Sequence, residues 1–586
     1  MRRLLVGIVA ALVLAPAASA REGFVTSFDG TKIVYEFYPA HGLAAGAKAP
    51  TVLNGPGYSM GHPTDADTTV AALLDHGYNV VTWDPRGFGD SGGNVEIDGP
   101  DYEARDVGAL MDMIAEQPEA ELDKPGDPRI GMIGGSYGGG IQNNTAAIDK
   151  RVDVITPQIA WHSLITSLYK NDTAKSGWGL ALFGLGVEGS TVPGLLGGPA
   201  GVQFGRQQDP MSAAAIQDGA LTGTFTPAES AFFASRGPGD LINKVTIPTL
   251  ITEGTDDTLF TLQEAIDNYT AQRAAGATVH MIWFCGGLTD PSSAHGICLD
   301  SLGPRPNIVL EESVKWLDRY LKGDKTVDTG PGFRWVADTG ALHSSPAYPP
   351  KAGPPVTGSG SGALTLVPGS TSGLLIAAAK APNAVNVTLE RPQPGTMLVG
   401  PPELTLAYTG TAPSADGRVY AQLLSDATGR PLGNQVTPVK VTLDGKPHTT
   451  TLPIEAVAAD AGPDSTYTLQ ITDGSSQYFA ARQAGTIDFS RVKLSVPTAD
   501  PAGVDTTPAP VACRARHTLR LRVAKRYRHR IRSVRVLAGK KVVGRSHRAA
   551  VRVHLKSYSG KVRLRVKIKL RGGKHALARR TVRLCA

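Results

Sequence analysis

Ser136 stands in the run Ile133-Gly-Gly-Ser-Tyr-Gly-Gly-Gly-Ile-Gln142, where Gly134-Gly135-Ser136-Tyr137-Gly138 satisfies G-x-S-x-G. Glycines on both sides tolerate a cramped backbone corner that pushes a serine hydroxyl out of the chain. The apolar run Ile130–Ile133 precedes the corner and a helix-like run, Ile141–Asp149, follows it, which is the setting such a nucleophile requires. A hydroxyl is a poor nucleophile without a base, and the base needs an orienting carboxylate. Two later stretches offer both, in the chain order serine, acid, histidine. Leu250-Ile-Thr-Glu-Gly-Thr-Asp-Asp-Thr-Leu-Phe260 follows a strand pattern and presents the adjacent carboxylates Asp256 and Asp257. Trp283-Phe-Cys-Gly-Gly-Leu-Thr-Asp-Pro-Ser-Ser-Ala-His295 follows the next, with Asp290 inside it. The chemistry implied is acyl transfer. No Gly-Lys-Ser/Thr follows the glycines, so a phosphate loop is excluded, and no close Cys/Cys or Cys/His spacing suggests zinc. No metal or cofactor is implied.

The base is narrowed by position. Five of the thirteen histidines lie in the last 74 residues, and His343 and His448 fall in or near a β-rich region. His41, His62 and His76 precede the serine. His162 comes too early and is expected to line the pocket or cap a turn, and His280 sits inside a strand pattern as packing. His295 is left as the base.

These residues need a scaffold that brings them together. Phe24–Phe28 and Lys32–Phe37, split by Asp29-Gly30, predict an opening hairpin. Apolar runs at Thr51–Leu53, Asn79–Trp83, Ile130–Ile133, Val154–Ile155, Thr249–Ile251 and Val279–Phe284 alternate with helical patterns such as Thr68–His76 and Tyr102–Gln117. That alternation predicts a mostly parallel sheet covered on both faces. The interval from about 162 to 240 lacks the rhythm and is expected to form a helical cap. Beyond the helical pattern Glu311–Leu321, short strands with turn signals over about 363–497 predict an all-β sandwich. Ser344–Gly362 and 501–512 read as linkers. Residues 513–586 alternate cation and apolar residue, as in Lys561-Val-Arg-Leu-Arg-Val-Lys-Ile-Lys-Leu-Arg571, which predicts half-buried strands with a cationic outer face. The expected division is therefore residues 21–325, 326–500 and 513–586.

Residues 1–20 join two arginines, an apolar run and Ala18-Ser19-Ala20, a secretory signal too short to span a bilayer. The expectation is a secreted protein with no transmembrane segment. Four cysteines suit an oxidising compartment. Cys285 with Cys298 and Cys513 with Cys585 are the natural pairs by proximity, although four cysteines allow three connectivities. Net charge is +7, and the 26 Lys/Arg of residues 513–586, with no Asp or Glu among them, leave −19 for the remainder. That basic piece predicts docking to an anionic cell-envelope polymer or lipid headgroups rather than nucleic acid.

The elbow Gly134–Gly139 with Gln142, and Trp83-Asp-Pro-Arg-Gly-Phe-Gly-Asp-Ser-Gly-Gly93 upstream, resemble the X-Pro dipeptidyl-peptidase and cocaine-esterase group of α/β-hydrolases, peptidase family S15. Gly254-Thr-Asp-Asp-Thr-Leu-Phe260 looks like that family's acid loop and maps the acid onto Asp257, with Asp256 and Asp290 as alternatives. Ser475–Phe479 to Val492–Pro497 is similar to its jelly-roll module. The resemblance covers roughly residues 22–497 and implies an α/β-hydrolase core followed by a jelly roll, with the basic segment outside it. It implies an oxyanion hole made by the Tyr137 N–H and by a tyrosine hydroxyl after the third strand, which maps onto Tyr58. Here the loop, Asn54-Gly-Pro-Gly-Tyr58, carries an extra glycine, so a backbone N–H of Gly57 or Tyr58 is an alternative donor. Asp84, Arg86, Asp90 and Ser91 are expected to tie down their own glycine-rich loop. The reaction class is ester, amide or X-Pro peptide hydrolysis on a small-molecule or short peptide substrate. An aminopeptidase would need a carboxylate for the substrate's amine, and Asp172, Glu188 and Asp209 are the candidates in the cap. The competing class is an inert envelope-binding protein on a hydrolase scaffold.

Overall fold

The computed structural model describes residues 19–191, 208–285, 298, 305–479, 483–508, 518–522, 525–555 and 560–584. It divides into two compact units, residues 1–509 and 510–586.

In the first unit an eleven-stranded sheet runs in the order Arg21–Thr26, Lys32–Tyr38, Asn79–Trp83, Thr51–Asn54, Ile130–Gly135, Val152–Gln158, Thr249–Gly254, Val279–Phe284, Phe333–Val336, Leu342–Ser345 and Asp505–Thr507. The run from Asn79–Trp83 to Phe333–Val336 is parallel throughout. Strand side chains alternate between two cores, because successive residues point to opposite faces. Leu53, Val81 and Met132 pack with Val107, Leu110 and Met111 of the helix Glu103–Ala115 on one face. Val52, Val80 and Ile133 pack with Leu73 and Trp316 on the other, from the helices Thr68–Asp75 and Ile308–Tyr320. Both faces are covered, as the near-continuous apolar strands require.

Two boundaries differ from expectation. Phe333–Val336 and Leu342–Ser345, assigned from sequence to the β domain, and Asp505–Thr507, assigned to a linker, complete the first sheet. For the first strand the reason is burial, since Phe333 and Trp335 pack with Met281 and Trp283 of the adjacent parallel strand, while the exposed Asp505–Thr507 joins through antiparallel backbone pairing with Leu342–Ser344. Similarly, Gly358, Gly360 and Gly362 of the presumed linker belong to the strand Val356–Leu366. A Cβ at these positions would press on Leu389, Val387 and Val385, so the glycines permit close packing rather than supplying a flexible tether.

Between Val152–Gln158 and Thr249–Gly254 the described residues form four α-helices, Leu164–Leu168, Ser176–Thr191, Pro210–Thr222 and Pro227–Ala234. The later all-β region pairs Val356–Leu366, Gly485–Val496, Glu403–Ser425, Tyr467–Thr472 and Ala384–Thr388 in one sheet around its own apolar core, with Thr437–Pro453 also paired to Glu403–Ser425. In the second unit a two-stranded and a four-stranded antiparallel sheet share one core.

Candidate active site

A parallel sheet delivers its carboxyl ends to one edge, and the chain there is free to build a site. Ser136 follows the strand Ile130–Gly135 directly and caps the helix Tyr137–Ile148 with φ 56° and ψ −116°. A non-glycine residue in that conformation is held by its surroundings. The Ser136 N–H donates to Gln158 O at 2.9 Å, and its carbonyl accepts from the Gly139 and Gly140 amides at 2.8 and 2.9 Å. The neighbouring glycines are steric necessities. A Cβ at Gly138 would drive into the Gly55 carbonyl, and one at Gly140 into the Trp161 ring.

Ser136 opens on a cleft of about 850 Å³, open solvent included. Its walls are mainly apolar, with Leu164, Leu168, Phe183, Phe225, Phe233 and Phe260 among them. Tyr58 and Tyr137 also line it, their rings edge-on at 5.4 Å between centroids. The Tyr137 N–H begins a helix and so has no acceptor within it. Tyr58 donates its hydroxyl to Gln208 Oε1 at 2.7 Å, and burial pushes its pKa up. Behind the cavity, the Tyr137 hydroxyl donates to Glu103 Oε1 at 3.2 Å. Burial raises the Glu103 carboxyl to about 8.

Asp257 lies after the strand Thr249–Gly254, two and three residues before the cavity-lining Leu259 and Phe260. Its Oδ1 accepts from the Leu259 and Phe260 amides at 2.9 and 3.1 Å, and its Oδ2 from the Cys298 amide at 3.3 Å. Burial pushes this carboxyl up to about 6 against the pull of those amides. Asp256, also raised by burial, to about 7, has Asp338 and Asp257 as its charged neighbours. Asp290 and His295 lie outside the described residues, as do Cys513 and Cys585.

Cys285 and Cys298, expected as a disulfide, are present as two buried thiols in one small cluster, with a hydrogen bond between them. Burial first, and then the bond to Cys285, raise the Cys298 thiol well above its ordinary value. Exchange chemistry runs through the thiolate, so this environment works against it. Of the amine-holding candidates, Asp172 is paired with Lys440 at 2.7 Å on the surface, and Asp209 caps the helix Pro210–Thr222. Neither lines the cavity, and the Glu188 side chain lies outside the described residues.

The loop residues of Trp83–Gly93 bind one another and their neighbours. Asp84 accepts from the His62 and Asp90 amides, each at 2.6 Å, and Arg86 grips Asp106 with two nitrogens at 2.8 and 2.7 Å. Ser91 donates to Asp84 O at 2.6 Å. His162, expected at a pocket or turn, bonds Asn268 Oδ1 at 2.9 Å and is not a cavity-lining residue. His280 packs on Trp316, with ring centroids 4.8 Å apart.

Residues 29–285 match the family model described as X-Pro dipeptidyl-peptidase (S15 family). Over that stretch the chain is similar to the S15 family. A CocE/NonD family hydrolase from Staphylococcus aureus superposes with a TM-score of 0.59 at 13% identity, covering 81% of this chain and 93% of its own. An α-amino acid ester hydrolase does so with 0.59 at 14%, covering 85% and 100%. An aminopeptidase from a marine sediment archaeon of the Thaumarchaeota gives 0.57 at 13%, covering 82% and 96%. At such identities the likeness is one of fold, an α/β-hydrolase sheet followed by an all-β region. A curated, uncharacterised protein from Pseudomonas aeruginosa is 28% identical over 111 residues, so the match spans 29% of that relative's length.

Two residues around the acid loop escaped the sequence. Lys175, 2% exposed, lines the cavity and donates from Nζ to Thr258 O at 2.7 Å and Leu259 O at 3.3 Å. Burial lowers its pKa to about 8, against the pull of Glu455. Gln435, from the later β region, donates Nε2 to the carbonyl of Asp257 at 2.6 Å. Neither belongs to a motif, and only the folded chain brings them to the acid loop.

Proposed function

We propose that this chain is an exported serine hydrolase of carboxylic esters with apolar acyl groups, working through Ser136, His295 and Asp257. The observation that carries the reading is Ser136, on its left-handed corner, facing an apolar cavity whose described lining contains no carboxylate. A free substrate amine needs such a carboxylate, so the cavity favours neutral acyl groups over X-Pro dipeptides. Lys175 is the one charged side chain in that lining among the described residues.

In the proposed mechanism the Ser136 hydroxyl attacks the substrate carbonyl carbon, and His295 takes its proton. The tetrahedral oxyanion accepts hydrogen bonds from the Tyr137 N–H and, once released from Gln208, from the Tyr58 hydroxyl. A missing donor of this kind generally costs about 3 kcal/mol in the barrier. His295 then protonates the leaving alkoxide, and the C–O bond breaks to leave an acyl-serine. Water, deprotonated by His295, cleaves the acyl-serine and restores the hydroxyl. Asp257 holds the imidazole in the right tautomer. The support for Asp257 over Asp256 is its contact with the amide of Cys298, three residues beyond His295 in the chain. Residues 1–20 act as the export signal, the later all-β region is read as the jelly roll, and Cys513–Cys585 closes the basic unit.

The test is a matched panel of p-nitrophenyl acyl esters and X-Pro-p-nitroanilides, run with a fluorophosphonate label. Turnover should favour the esters and rise with acyl length until the cavity is filled. Ser136→Ala should lose both label and turnover, the latter on the order of 10⁶-fold. Faster cleavage of the anilides would overturn the ester preference. A native protein that takes no label would instead favour an inert binder.

A further inference from the structure

The second unit carries its charge in a pattern that folding alone does not require. In its four-stranded sheet the strand Gly560–Leu570 turns Val562, Leu564, Val566, Ile568 and Leu570 into the core. Arg563, Arg565, Lys567 and Lys569 face outward. Register then sets like charges side by side: Arg545 opposite Arg535, Arg535 opposite Lys567, and Arg565 opposite Arg579. Directly opposed like charges destabilise a sheet. No Asp or Glu follows Asp505, so the unit holds no side-chain anion of its own to relieve them.

Nor is the charge confined to one face. The two-stranded sheet packs Leu519, Val551 and Val553 into the same core, and exposes Arg522 and Arg552. The turns add exposed Lys540, Lys541, Arg571 and Lys574. Cations therefore stand on both sheets and at the turns between strands. A planar bilayer engages one face and leaves the opposite repulsion in place, whereas a flexible chain can wrap both. Guanidinium groups dominate, and they pair with phosphate oxygens through two parallel hydrogen bonds. Single-stranded nucleic acid is held by a cationic groove together with exposed aromatic rings on which its bases stack. Tyr527, the aromatic residue described in this unit, packs against its core instead.

We propose that residues 510–586 form a docking module for a flexible polyol-phosphate polymer, a phosphodiester chain without bases. The phosphates lie along the cation rows of both sheets and replace the missing anions.

The full-length protein is titrated with poly(glycerol phosphate), oligothymidylate of matched charge, and phosphatidylglycerol vesicles over a salt series. The polymer should bind most tightly at low salt, and its log affinity should fall linearly with log salt. Gln at Arg535, Arg565, Lys567 and Arg579 together should flatten that slope by about 3, at about 0.7 per contact. R522Q/R552Q on the two-stranded sheet should flatten it by about 1.4. Thermal unfolding reports on folding independently: with repulsion relieved, the fourfold variant should melt no lower than the parent without polymer. Single substitutions should give the same order, which keeps the test sound if the fourfold variant misfolds. Unchanged binding in the fourfold variant overturns the proposal, as does oligothymidylate binding at least as tightly as the polymer. Tighter binding to vesicles, with R522Q/R552Q silent, would replace it with a one-faced membrane contact.

Discussion

At the residue scale, the site turns on which carboxylate orients the base and what holds that carboxylate in place. Asp257 is gripped by three amides, while Asp256 has acidic groups as its charged neighbours. Asp257→Asn should therefore lower kcat by about 10⁴-fold through the wrong imidazole tautomer, with Asp256→Asn far milder. The reverse order in a steady-state assay would reassign the acid. Lys175 calls for a separate test. Its folded pKa, about 8, lies below its ordinary value of 10.5, so between those limits the unfolded chain binds a proton that the folded chain does not. Stability is consequently lost as pH falls from about 10.5 to 8 and is constant below that window. Lys175→Met should remove this slope from denaturant titrations of Ser136→Ala protein and so leave stability flatter across it. An unchanged slope would show that the amine does not titrate there.

At the scale of elements, the elbow works because two backbones touch. The Gly138 Cα–Gly55 approach leaves no room for a methyl group, so Gly138→Ala must displace either the helix Tyr137–Ile148 or the loop after Thr51–Asn54. Overpacking of this kind costs about 1–3 kcal/mol, and a Ser136 moved by an ångström loses far more in rate than in stability. The expected outcome is a modest fall in melting temperature with activity down at least 100-fold. His280 illustrates the opposite case, an ionisable residue used as packing. It sits on Trp316, between the strand Val279–Phe284 and the helix Ile308–Tyr320, and burial lowers its pKa to about 4. Below pH 6.5 the unfolded chain takes up a proton that the folded one refuses. Stability is thus lost as pH falls from about 6.5 to 4 and should level off below. His280→Phe should blunt that loss in urea titrations, and an equally steep loss would point to other groups.

At the scale of the whole first unit, the acid loop depends on chain nearly 200 residues further on. Gln435 holds the Asp257 carbonyl, and the Lys175 amine that binds the next two carbonyls is drawn on by Glu455. The later β region is thus a buttress of the site. A neutral hydrogen bond is worth about 0.5–1.5 kcal/mol, which corresponds to about two- to tenfold in rate. Gln435→Ala should lower kcat by up to about tenfold with KM nearly unchanged, because the acyl cavity is untouched. A change confined to KM would mean that the β region shapes binding instead. The thiol pair offers a further check: after mild oxidation the mass should be unchanged and both positions should still alkylate once the protein is unfolded. A loss of 2 Da together with loss of alkylation at both would show that they join despite burial.

How much of this was legible in the chain follows from how local each cause is. The strand–elbow–helix at Ser136 was readable because the glycines, the apolar strand and the helix are contiguous, and their steric needs are met within a few residues. The parallel sheet was readable for the same reason, since apolar strands and amphipathic helices alternate along the chain. The basic unit announced itself through strict alternation and the absence of acids. What sequence left open were the terms set by distant partners. Residues 333–336 joined the first sheet at its parallel edge, where Met281 and Trp283 bury Phe333 and Trp335, and 342–345 and the exposed 505–507 followed by antiparallel backbone pairing. The glycines of 358–362 resembled a tether because glycine marks close packing and flexibility with the same letter. Lys175 and Gln435 carry no pattern at all: an amine or an amide becomes part of a site only when folding removes its water and leaves particular carbonyls as the acceptors within reach.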